Sequence, residues 1–343
     1  MAAVFRESRD ATPFAQVYKC NTNDTNNATD WQKIGSAVSA TQDDFIVDSV
    51  ALSGDGTTIA VAMTSTATTA GVVSRQIYSL SDFQPVGELL VESLPYSAKF
   101  KTQLSLSNDA GLLTFGMTTE AGEGTFLLQT YQRSIANSWQ RFGAALKVDK
   151  SAVAEISADG QTVALLDSKA SRIFHLTSTG DWEDRMEGLP LDFYYRMALN
   201  KNGLVLATRQ LSQNNLVEIF AFENGSWNHN GTVQDSDVYE SNFGYQLDLS
   251  ADGRTVVVAT FRSRPTVAAC VQAFQRDEAN QWLPMGRPPC IEHENKHAAF
   301  GAYLALSGDG LLMAVGDFGK YFDFLDNGHI HTYALEPENE IIV

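Results

Sequence analysis

Cysteine is scarce: the 343 residues hold three, Cys20, Cys270 and Cys290. That count excludes a disulfide-framework protein and a zinc module, which need more cysteines at short spacings. One bridge with one thiol left over is the most it allows. Cations are few as well, 24 Lys and Arg against 41 acidic residues, for a net charge of −17. Phosphate backbones call for clustered Lys and Arg, so nucleic acid is not an expected partner. The acids are scattered and read as a solvated surface. No run of 18 apolar residues occurs, so no membrane insertion is expected. The start, "MAAVFRESRD", lacks the apolar stretch of a signal peptide, although secreted chains lose such segments on processing. Nucleophile-elbow, Walker and Rossmann patterns are missing, and no segment keeps a helical period.

What is present is a repeat. The stretch "LSGDGTTIAVAM" at 52–63 returns as "LSNDAGLLTFGM" at 106–117, "ISADGQTVALLD" at 156–167, "LNKNGLVLATR" at 199–209, "LSADGRTVVVAT" at 249–260 and "LSGDGLLMAVGD" at 306–317. Its turn residues are Asp55, Asp109, Asp159, Asn202, Asp252 and Asp309, with gaps of 54, 50, 43, 50 and 57 residues. A period near 50 means stacked or radial units. All five tryptophans share one place in that period: "WQKIG" at Trp31, "WQRFG" at Trp139, "WEDRM" at Trp182, "WNHNG" at Trp227 and "WLPMG" at Trp282. Phe83 of "FQPVG" stands in the second unit. A third element, such as "FAQVYKC" at 14–20 or "SRQIYSL" at 74–80, precedes each aromatic; a seventh copy, "GHIHTYAL" at 328–335, has no tryptophan after it.

Each unit therefore holds four short strands, one before the Asp-Gly turn, one after it, the Tyr/Phe strand and the Trp strand. Asp-Gly suits a tight hairpin, because Gly accepts positive φ and Asp tolerates it. The strand after the turn is apolar on both faces and must be covered on both sides. Units of this kind describe an all-β β-propeller of six four-stranded blades, with the turn aspartates structural. Residues 1–13 form an N-terminal extension and 14–343 one propeller domain. The sixth blade lacks its own Trp strand, so residues 31–38 are expected beside 328–335, a clasp that removes an open edge. The alternative is a seventh, irregular blade made from the terminal segments.

The combination W-x-x-[apolar]-G, L-S-x-D-G, a β-branched/Ala strand and V-x-x-[YF] resembles the repeats of secreted and cell-surface proteins of diatoms and related marine microbes. Those are similar to the FG-GAP propellers of integrin α subunits. The resemblance runs from about Phe14 to Leu335. It implies a secreted or cell-surface protein that recognises protein or glycan, and a calcium loop between two strands. "GDFGKYFDFLDNGHIHTY" keeps the flavour of such a loop, with Asp317, Asp323, Asp326 and Asn327 as oxygen ligands. The "WD" and "GH" pairs of WD40 blades are missing.

"HENKH" at 293–297 fits H-E-x-x-H, but it follows Pro288 and Pro289 and precedes a strand, so no helix presents His293 and His297 on one face. A casual surface metal site is the more they offer. Cys270 and Cys290 lie on the third and fourth strands of one unit, mirrored about a turn near Asn280, so a bridge is expected. Sequons stand at Asn23, Asn27, Asn224 and Asn230; a chain of this length carries about that many by composition, so they add little to the case for secretion. The functional expectation is a non-enzymatic recognition or scaffold propeller. The alternative is a hydrolase or lyase with polar residues converging at one channel mouth.

Overall fold

A computed structural model describes residues 2–5, 14–20, 31–40, 45–65, 71–94, 100–119, 125–149, 151–167, 171–186, 189, 194–210, 216–234, 241–262, 269–291, 300–317 and 329–335. Among these there is no helix. The first sheet holds β1 (Ala2–Phe5), β2 (Phe14–Cys20) and β3 (Trp31–Ser39). The second holds β4 (Phe45–Leu52), β5 (Thr58–Ser65), β6 (Gly71–Ser79) and β7 (Leu90–Leu94). The third is β8 (Phe100–Leu106), β9 (Leu112–Thr119), β10 (Thr125–Arg133) and β11 (Trp139–Asp149). The fourth is β12 (Ser151–Ile156), β13 (Thr162–Asp167), β14 (Ser171–Leu176) and β15 (Trp182–Asp184). The fifth is β16 (Tyr194–Leu199), β17 (Val205–Gln210), β18 (Leu216–Glu223) and β19 (Ser226–Gln234). The sixth runs β20 (Ser241–Leu249), β21 (Thr255–Arg262), β22 (Ala269–Arg276) and β23 (Trp282–Met285), with β24 (Cys290–Ile291) also on β22. The seventh is β25 (Tyr303–Leu306), β26 (Leu312–Asp317) and β27 (His329–Ala334).

Every sheet is an antiparallel meander in chain order. The six turn copies each open one sheet, the second to the seventh, as expected of six repeats. The closure differs from the expected clasp of 31–38 beside 328–335: β3 pairs with β2, and β27 with β26, so Trp31–Ser39 and His329–Ala334 lie in different sheets. The reason lies in the third and fourth strands of a repeat, which form one hairpin unit. Gln16 reaches across that hairpin and donates to the Ile34 carbonyl at 3.1 Å, so "FAQVYKC" keeps its own Trp strand. Ala2–Phe5, within residues 1–13, adds a strand to that pair.

The chain divides into two compact units, residues 1–168 with 172–184, and 169–171 with 185–343. In β5, β9, β13, β17 and β21 the strand after the turn is buried on both faces, and alternation decides which neighbour each residue meets. In β5, Ile59, Val61 and Met63 pack with Ala15 and Val17 of the first sheet. Ala60 turns the other way, onto Leu106, Leu113, Tyr131 and Trp139 of the third. In β21, Val256 and Val258 join Val217 and Ile219 of the fifth sheet, while Val257 and Ala259 join Met313 and Val315 of the seventh. The disulfide joins Cys270 to Cys290, which oppose one another in the β22–β24 register. It closes a loop of 20 residues, a constraint worth about 3 kcal/mol.

The turn between the first two strands is the same throughout. Its glycine sits at positive φ: Gly56 at 68°, Gly160 at 73°, Gly203 at 65°, Gly253 at 71° and Gly310 at 74°. The third sheet places Ala110 there, at 52°. Surroundings differ where backbone does not. A Cβ on Gly56 would meet open space, whereas one on Gly160 would lie 2.8 Å from Thr114 Oγ1, a fully buried side chain of the preceding sheet. Gly56→Ala is therefore expected to cost about 1 kcal/mol from backbone conformation alone. Gly160→Ala should lose about 1–3 kcal/mol more from overpacking. Chemical denaturation of the two variants measures the difference, and equal losses would remove the neighbour contact from the account.

Candidate functional site

The recurring polar residues bind their own turn and the adjacent sheet. Ser53 Oγ donates to Asp55 Oδ1 at 2.6 Å, and the same carboxylate oxygen accepts from Thr57 N at 2.9 Å. Ser107–Asp109, Ser157–Asp159, Ser250–Asp252 and Ser307–Asp309 repeat the serine bond at 2.5–2.7 Å. The serine hydroxyls hold the carboxyls of Asp55 and Asp109 below the ordinary carboxylate value, helped by turn N–H groups. These acids are the corners of hairpins. Within each unit, neighbouring corners also touch: Asp55 N donates to Asn108 O at 3.1 Å, Ser105 Oγ to Ser157 O at 2.7 Å, and Ala251 N to Gly308 O at 2.9 Å.

The tryptophans are locks between fourth strands. Trp139 Nε1 donates to Val86 O at 3.1 Å, Trp227 Nε1 to Arg185 O at 2.7 Å and Trp282 Nε1 to Asn230 O at 3.0 Å. Two of these acceptors immediately precede the glycine of the previous Trp-strand motif. Gly87 and Gly231 have positive φ, and a Cβ on either would run into the indole of Trp139 or Trp282. Phe83 covers Gly35 in the same way. At Gly35, Gly87 and Gly231 the glycine of the motif thus receives the aromatic of the sheet after, whereas Gly143 meets the backbone of Gly180 instead.

A third recurring group was not among the expected ones. Gln16, Gln76, Gln129 and Gln272 stand on the third strands, and each donates to the carbonyl of the next residue. Gln76 also reaches Gly87 O (3.4 Å), just ahead of β7, and Gln272 reaches Met285 O (3.5 Å) on β23. The signal was in the chain as Q-x-[YF], but Arg172, Glu218 and His331 hold the same place elsewhere and disguise it.

Groups outside the repeat gather on the innermost strands of the second unit. Arg196 Nε donates to Tyr245 O at 2.9 Å, and its guanidinium lies 5.7 Å from the centre of the Tyr245 ring. Gln246 Nε2 donates to Ala302 O at 2.9 Å. Asp248 accepts from Leu249 N at 2.8 Å and from Leu306 N, on the next sheet, at 2.6 Å. Burial pushes its carboxyl up to about 6 against the pull of those two N–H groups. Tyr303 stands beside this row, 64% exposed. Both carboxyl oxygens of Asp248 are already engaged, so its first role is to fasten β20 to β25. In the first unit, fully buried Arg75 lies over the Phe115 ring at 4.0 Å and donates to Tyr131 Oη at 3.5 Å.

The other expected site residues fall as follows. Asp317 ends β26, opposite His329. Asp323, Asp326, Asn327, His293, His297, Asn23 and Asn27 lie outside the described residues. Asn224 is exposed at the tip of the β18–β19 hairpin, with φ of 54°. Asn230 is partly buried, its carbonyl engaged by Trp282. Among the described residues no three His, Cys, Asp or Glu side chains are grouped to hold a metal ion.

No family model matches the chain, and no curated protein does. Solved structures do. The periplasmic gluconolactonase PpgL of Pseudomonas aeruginosa is 15% identical, with a TM-score of 0.53 over 97% of this chain and 94% of that one. A chain of the mitotic checkpoint complex is 14% identical, with a TM-score of 0.55 over 98% and 87%. The β-propeller domain of Cps50 (Swd1) from Myceliophteria thermophila is 12% identical, with a TM-score of 0.52 over 98% and 100%. At such identities the likeness shows the fold alone, and the fold is a β-propeller.

Asp248 generates a pH prediction. Its folded value of about 6 exceeds the ordinary 3.8, so the fold favours the protonated acid. The stability this group contributes is full below about pH 4 and is lost as pH rises through about 6. Asp55 and Asp109 act in the opposite sense, but they are common to wild type and variant. The melting-temperature advantage of wild type over Asp248→Asn should therefore shrink between pH 4 and pH 7. A gap that stays constant across that range would mean that Asp248 does not titrate there.

Proposed function

We propose that this chain is a recognition or scaffold propeller that works outside the cell or on its surface and binds protein or glycan without turnover. The observation that carries the reading is the use of the repeated polar residues. The Ser–Asp pairs close their own turns, the third-strand glutamines hold the segment that follows in their own sheet, and the Trp–Gly locks attach one sheet to the next, so all three serve the framework. Recognition then falls to positions that differ from sheet to sheet, and loops are where such positions concentrate. The Cys270–Cys290 bridge supports an oxidising compartment. The exposed Asn224 sequon is an accessible glycan acceptor in such a compartment. Membership of a checkpoint complex by one similar propeller supports a protein partner.

A second reading has its own support. One similar propeller is a gluconolactonase, and Asp248 titrates near the range a general base needs. The two readings separate in one comparison. Recognition predicts that immobilised chain retains a specific protein or glycan from its native extract or an array, with no hydrolysis of gluconolactone or 6-phosphogluconolactone above buffer. Turnover of either lactone that Asp248→Asn abolishes would establish the enzyme instead.

Calcium belongs to the same proposal, through Asp317, Asp323, Asp326 and Asn327. Three carboxylates in one loop repel one another unless a cation gathers their oxygens. Millimolar calcium is expected to raise the melting temperature by binding the folded form. Asp323→Ala and Asp326→Ala should each abolish the rise while leaving the calcium-free melting unchanged. A wild-type melting temperature indifferent to calcium would reduce the loop to an acidic surface turn.

A further inference from the structure

The sixth sheet builds its fourth strand in two pieces. In the third and fifth sheets one strand follows the third strand along its length: β11 pairs with β10 from Thr125 to Arg133, and β19 with β18 from Leu216 to Glu223. In the sixth sheet β23 covers Ala273–Arg276 of β22, and β24 covers Ala269 and Cys270. Between the two pieces runs "GRPP", residues 286–289. Proline has no N–H, so Pro288 and Pro289 cannot donate to a ladder, and the strand is cut there.

The piece beyond the cut is fastened by the disulfide. Val271 N donates to Pro289 O at 3.1 Å, and Pro289 has no N–H to return the bond. Cys270 and Cys290 are next along the register, a non-hydrogen-bonded pair, in which side chains lie closer together. Their Cα atoms are 4.2 Å apart. A strand of two residues makes too few backbone bonds to offset the entropy of ordering it. The neighbouring anchors are independent of the bridge: Met285 and Phe300 are buried in the cluster shared by the sixth and seventh sheets. Cys290 itself is exposed. The bridge thus stands at the surface, where a reductant can reach it without disturbing the core.

We propose that the Cys270–Cys290 bridge is a redox latch, opened in the folded chain by a protein dithiol of the thioredoxin class, which releases β24 and uncovers the outer edge of β22 at residues 269–271. A thiolate of the dithiol attacks Cys290 Sγ and forms a mixed disulfide, while Cys270 leaves as a thiolate and takes up a proton. The second thiol of the dithiol then attacks the mixed disulfide, Cys290 is released as a thiol, and the reductant becomes a disulfide. Two electrons and two protons reach the chain. β22 stays in place, because Cys270–Gln275 remain paired with β21 on its other side. Release of β24 frees the N–H of Val271 and, by alternation, that of Ala269. An open strand edge is a template for pairing with another strand. The latch goes beyond the recognition reading and does not rest on it.

The test treats the full chain, without denaturant, with dithiothreitol and separately with thioredoxin, its reductase and NADPH. Alkylation and peptide mapping should find Cys270 and Cys290 converted to thiols by both. Amide exchange at Val271, Cys290 and Ile291 should then be at least about tenfold faster, with β5, β9 and β17 unchanged. The melting transition should fall by several degrees and remain one cooperative step. Cys290→Ser without reductant should reproduce these changes and show no further response to dithiothreitol. A bridge that resists both reductants until the chain unfolds overturns the latch. Opening by dithiothreitol but not by thioredoxin also overturns it, because the reductant would not be a protein dithiol. Reduction that leaves exchange at Val271 and Ile291 unchanged would overturn the release of β24. A reduced chain or a Cys290→Ser variant without a cooperative transition would make the bridge a staple of the whole fold, and so overturn the latch as well.

Discussion

The structure depends on one constraint: the second strand of each repeat is apolar on both faces. Such a strand cannot face water on either side, so every sheet that contains one must be covered twice. In β21 the alternation of Val256 and Val258 with Val257 and Ala259 sends one pair to the fifth sheet and the other to the seventh. Small residues at these places let the sheets approach closely, and the glycines at the turns and outer strands do the same at the two ends. A sheet that touches two others, as the second, third and sixth do, favours identical chemistry on each. That is why turn, tryptophan and glycine recur with so regular a spacing.

The same argument explains how much of the fold could be read from the sequence. Turn, third strand and Trp strand were legible because each rests on local chemistry repeated several times. The Gln position was written just as plainly in "AQVY", "RQIY", "LQTY" and "VQAF". It was hidden because three sheets substitute Arg172, Glu218 or His331. Asp248 was not legible at all. Its partner, Leu306 N, is 58 residues away, and nothing local to "QLDLS" marks it. The clasp failed for a related reason. Counting strands per blade ignores that a third strand holds the fourth through a side chain such as Gln16, so the pair stays together. Of the calcium residues, only Asp317 lies within the described chain.

Departures from the repeat are informative because the surrounding sheets stay the same. The fifth sheet replaces the Ser–Asp pair by Asn200 and Asn202. Asn200 Oδ1 takes the place of the serine oxygen, accepting from Leu204 N at 2.9 Å and Val205 N at 2.8 Å. Its amide nitrogen then donates to Ala251 O at 3.2 Å, on the next turn. One amide thus does the work of a hydroxyl acceptor and of the turn-to-turn donor. Ala110 departs in another way. Its backbone is strained by the left-handed conformation, while its methyl is buried in the cluster that holds Trp139. The burial of that methyl group offsets part of the conformational cost.

Positions held by two neighbours change only when both can follow, so side chains vary most freely where one sheet stands alone. The innermost row of the second unit is an intermediate case. Arg196 and Gln246 each donate one bond to the backbone of the following sheet and Asp248 accepts one from it, but they are three different side chains at places where the repeat demands no particular one. Backbone acceptors and donors are present whatever residue supplies them, so the attachment survives substitution as long as some polar atom reaches across. The side chain is then free to differ from sheet to sheet, and Tyr303, largely exposed, stands in the same row. Attachment through backbone groups is what lets one row be both structural and varied, which a surface that discriminates between ligands requires.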